Sequence, residues 1–356
     1  MKRSYKHAAM ILCIGIIIVM TKNLDVCISA GREGVELCTR TLIPSLFPFM
    51  VVSSCFCLLI DPGYFHWIEK IAHIPAGSGS YFILGLLGGY PSGAQLIGNG
   101  YQAGLLDKNA AEHLLTFCNN AGPAFIIGMA GVLFDNSQIG WIIWGIHGTS
   151  AIIAANIFRT PDTYIIHTQS EIQLSIPVVL KKCVISMSLI CGWVILFRTL
   201  LSIIKSYICV AASDWIIPLL AGLLELSNGI SSLETINIQA YRFVLFCTLL
   251  GFGGISVMLQ TASVIGCLSI RNFVQGKILH CALSLLICLP FSYLLFERGG
   301  SVSFTLCSAV ISIFLIILIS ILNKQKKCCN ISNKERKGSQ NKEFGYAVSK
   351  KDCAVL

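Results

Sequence analysis

The chain has 356 residues, of which 55% are hydrophobic and only 12% are charged, and its formal net charge is +9. Soluble domains carry about 25% charged residues, so this composition excludes a soluble globular protein. The mean hydropathy is +0.76, and apolar stretches recur along the whole length, which predicts an integral membrane protein.

The sequence also argues against an enzyme or a metal protein. Most of the 17 cysteines lie inside apolar stretches, where cysteine behaves as a small hydrophobic residue, and no CxxC pair occurs. Walker A, HExxH and GxSxG motifs are absent from the sequence, so it offers neither a nucleotide-hydrolysis site nor a recognisable catalytic site. We therefore expect no enzymatic activity, no cofactor and no bound metal.

Membrane-spanning helices need roughly 20 mostly apolar residues, and the first such segment lies close to the N terminus. Residues 8–22 follow a basic start and lack a good cleavage site, so we interpret residues 1–24 as an uncleaved first span. The fold is predicted to be all-α and polytopic, with about eight to ten membrane segments. Further spans are predicted at 41–60, 139–158, 183–204, 208–224, 241–265, 277–296 and 302–322.

The pattern changes between residues 81 and 134. YFILGLLGGYPSGAQLIGNGY (81–101) begins as a membrane helix and is interrupted at GGYPSG (88–93). A short helix with Asp107 as its N-cap follows, and TFCNNAGP (116–123) then precedes a second short apolar segment. Irregular backbone at membrane depth survives only inside protein or beside a water-filled cavity. Interrupted apolar segments of this kind point to the binding site of a transporter.

A similar interruption occurs in the second half of the chain. LLGGYPSGAQL (86–96) aligns with LLGFGGISVML (249–259) and shares Leu86, Leu87, Gly88 and Leu96 with it. We therefore predict two inverted-repeat-like halves, residues 38–160 and 177–322, each with a broken or re-entrant helix. Chance alignment of sequences rich in glycine and leucine is the alternative.

Both ends of the chain are basic. The tail, residues 323–356, holds nine lysine or arginine residues against three acidic ones, and Lys2, Arg3 and Lys6 precede the first span. Because basic flanks stay on the cytosolic side of a membrane, both termini are predicted to be cytosolic. The tail is expected to orient a multi-pass protein in the lipid of the cell membrane, not to bind nucleic acid. Oligomerisation is left open.

Five motifs carry a resemblance to a known family. In their order along the chain, they resemble those of the nucleoside-recognition or Gate domain family of bacterial membrane proteins, and above all its sporulation integral membrane branch, the YlbJ type. The resemblance spans roughly residues 38–300, so both predicted halves are Gate-like. The motifs are LIPSLFPF (42–49), GYPSGAQL (89–96), FCNNAGPAFIIG (117–128), LLELSNGI (223–230) and GFGGISV (251–257).

The resemblance implies membrane transport. For the sporulation branch it implies movement of dipicolinic acid, pyridine-2,6-dicarboxylate, from the mother cell toward the forespore, and thus a place in the outer forespore membrane. One departure concerns the GYPSGAQL motif, where related sequences often carry a lysine and this chain has Ser92 and Gln95. A lysine there would pair with a carboxylate, so its absence weakens the case for a dianionic substrate.

The candidate substrate-binding residues lie at the interruptions. Asparagine amides supply both hydrogen-bond donors and acceptors, and proline after glycine favours the start of a new helix. The free N–H groups and partial positive charge of a helix N-terminus hold an anion without lysine or arginine. The predicted site consists of Pro91, Ser92, Gly93, Gln95, Asn119, Asn120, Gly122, Pro123, Asn228, Gly253, Gly254, Ser256 and Gln260.

Two ionisable residues in apolar surroundings are further candidates. Glu225 follows WIIPLLAGLL (215–224) at or near membrane depth, where an ionisable group is costly and marks a function. We expect it to couple protons or cations, or to pair with Arg198 or Arg242; a glutamate at a helix end is the alternative. His147 is expected to be a hydrogen-bonded core histidine, with proton coupling as its alternative.

The features together predict a carrier that works by alternating access around a central polar pocket. A small anionic or aromatic solute is the expected substrate, and dipicolinate is the first choice. One alternative is a carrier of nucleosides or another small solute with the same fold. The other alternative is a membrane scaffold for spore envelope assembly that transports nothing.

Overall fold

A computed structural model describes residues 2–59, 62–158, 175–207 and 215–296. Within these ranges the chain forms helices and no strand, which confirms the predicted all-α class. The predicted span 302–322 and the basic tail 323–356 lie outside the described residues.

Within each described range, the helices follow one another with short connections. Single π- and 3₁₀-helical turns occur at Cys38–Leu42, Pro62–Phe65 and Leu233–Thr235. The helices are α1 Lys2–Lys22, α2 Leu24–Leu37, α3 Ile43–Leu59, α4 His66–Ala72, α5 Ser78–Gly88, α6 Ser92–Gln102, α7 Lys108–Leu114, α8 Pro123–Phe134, α9 Ser137–Ile157, α10 Ile176–Tyr207, α11 Ile216–Leu224, α12 Leu226–Ser232, α13 Gln239–Phe252, α14 Gly254–Val264 and α15 Arg271–Phe296.

Four helical stretches in the described ranges are long and apolar enough to cross a membrane: Leu24–Phe56, Ile176–Tyr207, Gln239–Val264 and Arg271–Phe296. They confirm a polytopic membrane protein, whereas the total of eight to ten segments stays a prediction. The span predicted at 41–60 begins later than the observed helical stretch, which starts at Leu24 and continues through the π-helical turn. The charged residues of α2 made this first part too polar to be predicted as a span. Shorter apolar helices are Met10–Lys22, Ser78–Gly88 and Pro123–Phe134.

Two clusters of buried apolar side chains form the interior. One joins α3, α8, α9, α10, α12, α13 and α15. The other joins α4, α5, α6, α7 and α9 to α14 and α15. Tyr90 and Trp144 pack against both clusters. Both predicted halves of the chain therefore contribute to each cluster.

The aligned segments of the two halves adopt similar local structures. Residues 86–96 contain the break between α5 and α6, and residues 249–259 contain the break between α13 and α14. In the same alignment, the first residue of α7, Lys108, matches the first residue of α15, Arg271. The two halves then differ, because residues 115–122 separate α7 from α8, whereas α15 continues unbroken for 26 residues. The boundaries of the predicted halves stay predictions.

Candidate functional site

Interruptions in four helical segments meet in the interior. A β-carbon on Gly93 would lie 2.4 Å from the carbonyl oxygen of Cys118, so the start of α6 touches the break before α8. A β-carbon on Gly254 would lie 3.0 Å from the carbonyl oxygen of Gly222, so the start of α14 touches the break between α11 and α12. Tyr90 joins the two pairs, because its hydroxyl oxygen would be 3.4 Å from a β-carbon on Gly253.

Three of these interruptions, together with α14 after the fourth, line a small central cavity of about 50 Å³. Its polar groups come from Glu225, Ser227, Gln260 and the break at Tyr90. Apolar side chains of α3, α8, α10 and α14 complete its wall. The lining residues are Leu46, Phe49, Met50, Leu87, Gly88, Gly89, Tyr90, Ala121, Gly122, Ala124, Phe125, Ile190, Glu225, Leu226, Ser227, Val257 and Gln260.

The N-terminus of α8 faces the central cavity. Gly122 is the N-cap and Pro123 the first helical residue, as the sequence predicted. The first backbone hydrogen bond of this helix runs from the Ile126 N–H to the Gly122 carbonyl, at 3.3 Å. The N–H groups of Ala124 and Phe125 precede that bond, and both residues line the cavity. This end of α8 thus combines free donors with the positive end of the helix dipole.

Asn119 and Asn120 do not line the central cavity. The Asn119 carbonyl oxygen accepts the Ala94 N–H at 3.2 Å, and its NH₂ group donates to the Thr261 hydroxyl at 2.9 Å. The Asn120 NH₂ group donates to the Phe117 carbonyl at 2.7 Å. Asn119 therefore joins α6 to α14, and the predicted contact of both amides with a substrate stays a prediction. The sequence spacing identified the polar interruption but not its long-range partners.

Replacing Asn119 with alanine is therefore expected to destabilise the fold. The change leaves the Ala94 N–H and the Thr261 hydroxyl without a partner in a buried place, which costs about 1–3 kcal/mol. Thermal unfolding in detergent measures the loss, with Asn109→Ala on the exposed face of α7 as the matched control. Unchanged thermal stability together with lost transport would return Asn119 to the substrate-binding residues.

The polar residues at the start of α6 face a second cavity of about 200 Å³. Ser92 and Gln95 lie in its wall, together with Lys182 of α10, and Met50 lines both cavities. Pro91 and Gly93 line neither. The remaining wall residues are Ser54, Leu84, Leu96, Asn99, Ser175, Val178, Val179, Cys183 and Ser186.

Glu225 caps α12 and lines the central cavity. Its side chain is 3% exposed, and its two carboxylate oxygens accept the Ser227 N–H at 3.0 Å and the Asn228 N–H at 2.7 Å. The expected ion pairs are not formed, because Arg198 pairs with Glu33 at 2.9 Å and Arg242 donates to backbone carbonyls. Glu225 is therefore a glutamate at a helix end, as the alternative interpretation predicted. It also lines the central cavity.

Asn228 has no access to the central cavity. Its NH₂ group donates to the Val194 carbonyl at 3.0 Å, and its carbonyl oxygen accepts from Arg198 at 3.5 Å. Asn228 therefore joins α12 to α10, and its predicted contact with a substrate stays a prediction.

The predicted site residues of α13 and α14 have different roles: the glycines shape the backbone, and Gln260 lines the central cavity. Gly253 and Gly254 have φ values of 85° and 84°, a left-handed conformation that glycine adopts without steric cost and that ends α13. Ser256 is fully buried and its hydroxyl has no hydrogen-bond partner among the described residues. Gln260 lines the central cavity. Gln260 is thus the predicted side-chain donor that the structure brings to the cavity wall.

Lys277 is a functional candidate that the sequence analysis missed. It lies within α15, is 1% exposed, and its ammonium group is 2.6 Å from the hydroxyl oxygen of Tyr90. It stands at the N-terminal edge of the predicted span 277–296, where lysine usually extends to the membrane surface. The same helix also carries the buried residues His280 and Ser284, and this polar stripe was the available signal.

His147 lies in the interior, as predicted. Its Nε2 accepts the Ala121 N–H at 3.2 Å, which confirms a hydrogen-bonded core histidine. Its Nδ1 is buried and has no partner among the described residues.

Comparison with known proteins supports a membrane protein of the sporulation type. The chain is 22% identical over 293 residues to the sporulation integral membrane protein YlbJ of Bacillus subtilis (strain 168), and the match covers 68% of this chain and 71% of that protein. No protein-family model matches the chain. No solved structure matches it either. The Gate domain itself stays a prediction.

Proposed function

We propose that the protein is a membrane carrier for a small carboxylate, and that dipicolinate is its substrate during sporulation. The observation that carries the proposal is that three helix interruptions and the helix α14, which follows a fourth, line one cavity. Broken helices at the interface of two repeats are the usual construction of a transporter's binding site. Irregular backbone at membrane depth is also costly unless it is buried in protein or lines such a cavity.

The polar groups favour an anionic solute. The free N–H groups of Ala124 and Phe125 and the amide of Gln260 can donate to a carboxylate in the central cavity. Lys182 lies with Gln95 in the wall of the second cavity and supplies a positive charge there. This arrangement offsets the missing lysine of the GYPSGAQL motif, because the charge comes from α10 instead.

The sizes of the two cavities indicate a path for the solute through the protein. The central cavity of about 50 Å³ holds only a few water molecules, so an aromatic ring requires it to widen. Met50 separates it from the larger polar cavity. The solute would bind first near Lys182 and then pass Met50 into the central cavity. Movement of one half against the other would expose the site to the opposite side.

Glu225 makes the carrier depend on a cation or proton. A second negative charge close to a carboxylate in a cavity of low dielectric costs several kcal/mol. A proton or a metal cation at Glu225 removes this repulsion. Since both oxygens already accept backbone N–H groups, the side chain is held in place for that role.

Uptake into proteoliposomes tests the proposed function. Purified protein is expected to carry radiolabelled dipicolinate, and Gln260→Ala is expected to lower the rate about tenfold by removing a donor worth 1–2 kcal/mol. The Gln260 amide has no hydrogen-bond partner among the described residues, so the change should leave thermal stability unaltered. The exposed Gln138→Ala variant is the matched control.

The other outcomes separate the alternatives. Uptake of nucleosides in place of dipicolinate would indicate the other carrier, and no uptake of either solute would favour the scaffold. Spore dipicolinate content in a deletion strain, with and without the gene restored, gives the cellular measurement. Normal content in the deletion strain would contradict the proposal.

A further inference from the structure

A buried lysine lies beside the central cavity. Lys277 is 1% exposed inside α15, a helix that is long and apolar enough to cross a membrane. An ionisable group within a membrane span is expensive to bury and is retained for a function. The roles assigned above leave this residue unused.

Among the described residues, the lysine has no acidic partner. No Asp or Glu of the described ranges lies within ion-pair distance of its ammonium group, whereas Arg198 pairs with Glu33. Its neighbours are the Tyr90 hydroxyl at 2.6 Å, the Nδ1 of His280 at 3.4 Å and the Asn120 carbonyl oxygen at 3.5 Å. The ring of Tyr90 adds a cation–π contact at 5.0 Å. Because these contacting groups are neutral, they do not restrict the Lys277 side chain to its charged form.

The titratable groups around Lys277 come from three parts of the fold. The break after α5 contributes Tyr90, α15 itself contributes His280 and Cys281, and α9 contributes His147. The Nε2 of His280 contacts the His147 carbonyl oxygen at 3.0 Å, and the two imidazole rings stack at 4.3 Å. Because Nε2 of His280 faces a carbonyl, it carries the hydrogen, and Nδ1 is left to accept from Lys277.

The same three partners satisfy both protonation states of the lysine. A charged ammonium has three donors, which match the oxygen of Tyr90, Nδ1 of His280 and the carbonyl oxygen of Asn120. A neutral amine has two donors and one acceptor, which fit equally well if the Tyr90 hydroxyl reverses and donates to it. Tyr90 alone among the three can act both as donor and as acceptor. Every hydrogen-bond donor and acceptor of the Lys277 amine therefore has a partner in both the protonated and the neutral state.

We propose that Lys277 is the protonation site that couples proton movement to solute transport, and that Tyr90 transmits its state to the central cavity. With Lys277 protonated, the Tyr90 hydroxyl accepts from lysine, and its own hydrogen is free to donate to a carboxylate in the cavity. With Lys277 neutral, that hydrogen is directed to the lysine and the cavity loses a donor. One proton enters at Nζ from one side of the membrane and leaves toward the other.

This inference rests on the proposed carrier function, and its mechanism favours joint binding of proton and carboxylate. A proton at Lys277 strengthens the carboxylate site, and a bound carboxylate favours the protonated lysine by the same factor. The solute and the proton would therefore move in the same direction. Glu225 remains a separate group that also lines the cavity.

Transport measurements distinguish coupling from binding. In proteoliposomes, a pH gradient with the acid side outside is expected to stimulate dipicolinate uptake, and Lys277→Gln is expected to lower the stimulated rate about tenfold. The variant should retain exchange of labelled for unlabelled dipicolinate without a gradient, since exchange needs no net proton movement. Lys70→Gln, at an exposed position of α4, is the matched control and should keep both activities. Full gradient stimulation in Lys277→Gln would overturn the inference.

A second measurement requires no solute. The infrared difference spectrum between acid and alkaline samples is expected to contain a tyrosine C–O band shift, because the Tyr90 hydroxyl changes from acceptor to donor. The shift should vanish in both Lys277→Gln and Tyr90→Phe. Absence of the shift in the unmodified protein would refute the role of Lys277 even if dipicolinate is carried. A shift in a protein that carries no dipicolinate would retain the protonation site and refute only the proposed substrate.

Discussion

Alanine at position 85 is expected to prevent accumulation of folded protein. A β-carbon on Gly85, in the middle of α5, would lie 1.6 Å from the carbonyl oxygen of Cys118 and 2.8 Å from its carbonyl carbon. Both obstacles are backbone atoms, so no side-chain rotation relieves the clash. Separating α5 from the 118–122 segment would also disturb the bond from Asn119 to Ala94. The cost should exceed the roughly 1–3 kcal/mol of ordinary overpacking.

Size-exclusion chromatography of detergent-extracted protein measures this effect as loss of the monodisperse peak. The matched control is Gly145→Ala in α9, where a β-carbon has no neighbour within 4 Å. That change should be neutral or stabilise the helix by about 0.5–1 kcal/mol, since alanine is the better helix former. Recovery of Gly85→Ala at the level of the control, with the same melting temperature, would contradict the close packing described here.

Much of the secondary structure follows from local chemistry that the sequence displays. Apolar length marks the spanning helices, and the GGYPSG, NNAGP and GFGG stretches mark where helices end. The structure ends α5 at Gly88, begins α8 at Pro123 and ends α13 at Phe252. Glycine tolerates left-handed backbone and proline lacks an N–H group. Both residues therefore favour helix ends through their local backbone chemistry, without regard to tertiary contacts. Positions of helix ends are therefore predictable without knowledge of tertiary contacts.

The partners across the site are not predictable in this way. The amide of Asn119 can donate to a solute or to the hydroxyl of Thr261, and nothing in the spacing distinguishes these. In the sequence, Lys277 resembles a lysine that flanks a membrane span at the surface. Its burial depends on how closely α15 packs against another helix, which the sequence does not show. A β-carbon on Gly276 would lie 2.0 Å from the Thr116 carbonyl oxygen, so glycine there lets α15 approach the end of α7 closely. That contact joins residues far apart in the sequence, and only the fold reveals it.

Glutamine at position 225 is expected to lower both stability and transport. Its single carbonyl oxygen can accept one of the two N–H groups that Glu225 accepts now, and its NH₂ group faces the other donor. The unpaired buried N–H costs about 1–3 kcal/mol, which a thermal unfolding series in detergent should detect. Glu33→Gln is the matched control, because that exposed carboxylate pairs with Arg198 and should contribute less than about 1 kcal/mol.

Aspartate at the same position separates the two roles of Glu225. Aspartate is a good N-cap and keeps the negative charge, so Glu225→Asp should hold the start of α12 and nearly preserve the melting temperature. Its side chain is one methylene shorter, which withdraws the carboxylate from the cavity wall. If the carboxylate serves the transported solute or its accompanying cation, uptake should fall about tenfold while stability is kept. Equal transport by Glu225→Asp and the unmodified protein would limit Glu225 to capping, and the proton that accompanies the solute would then be carried by Lys277 alone.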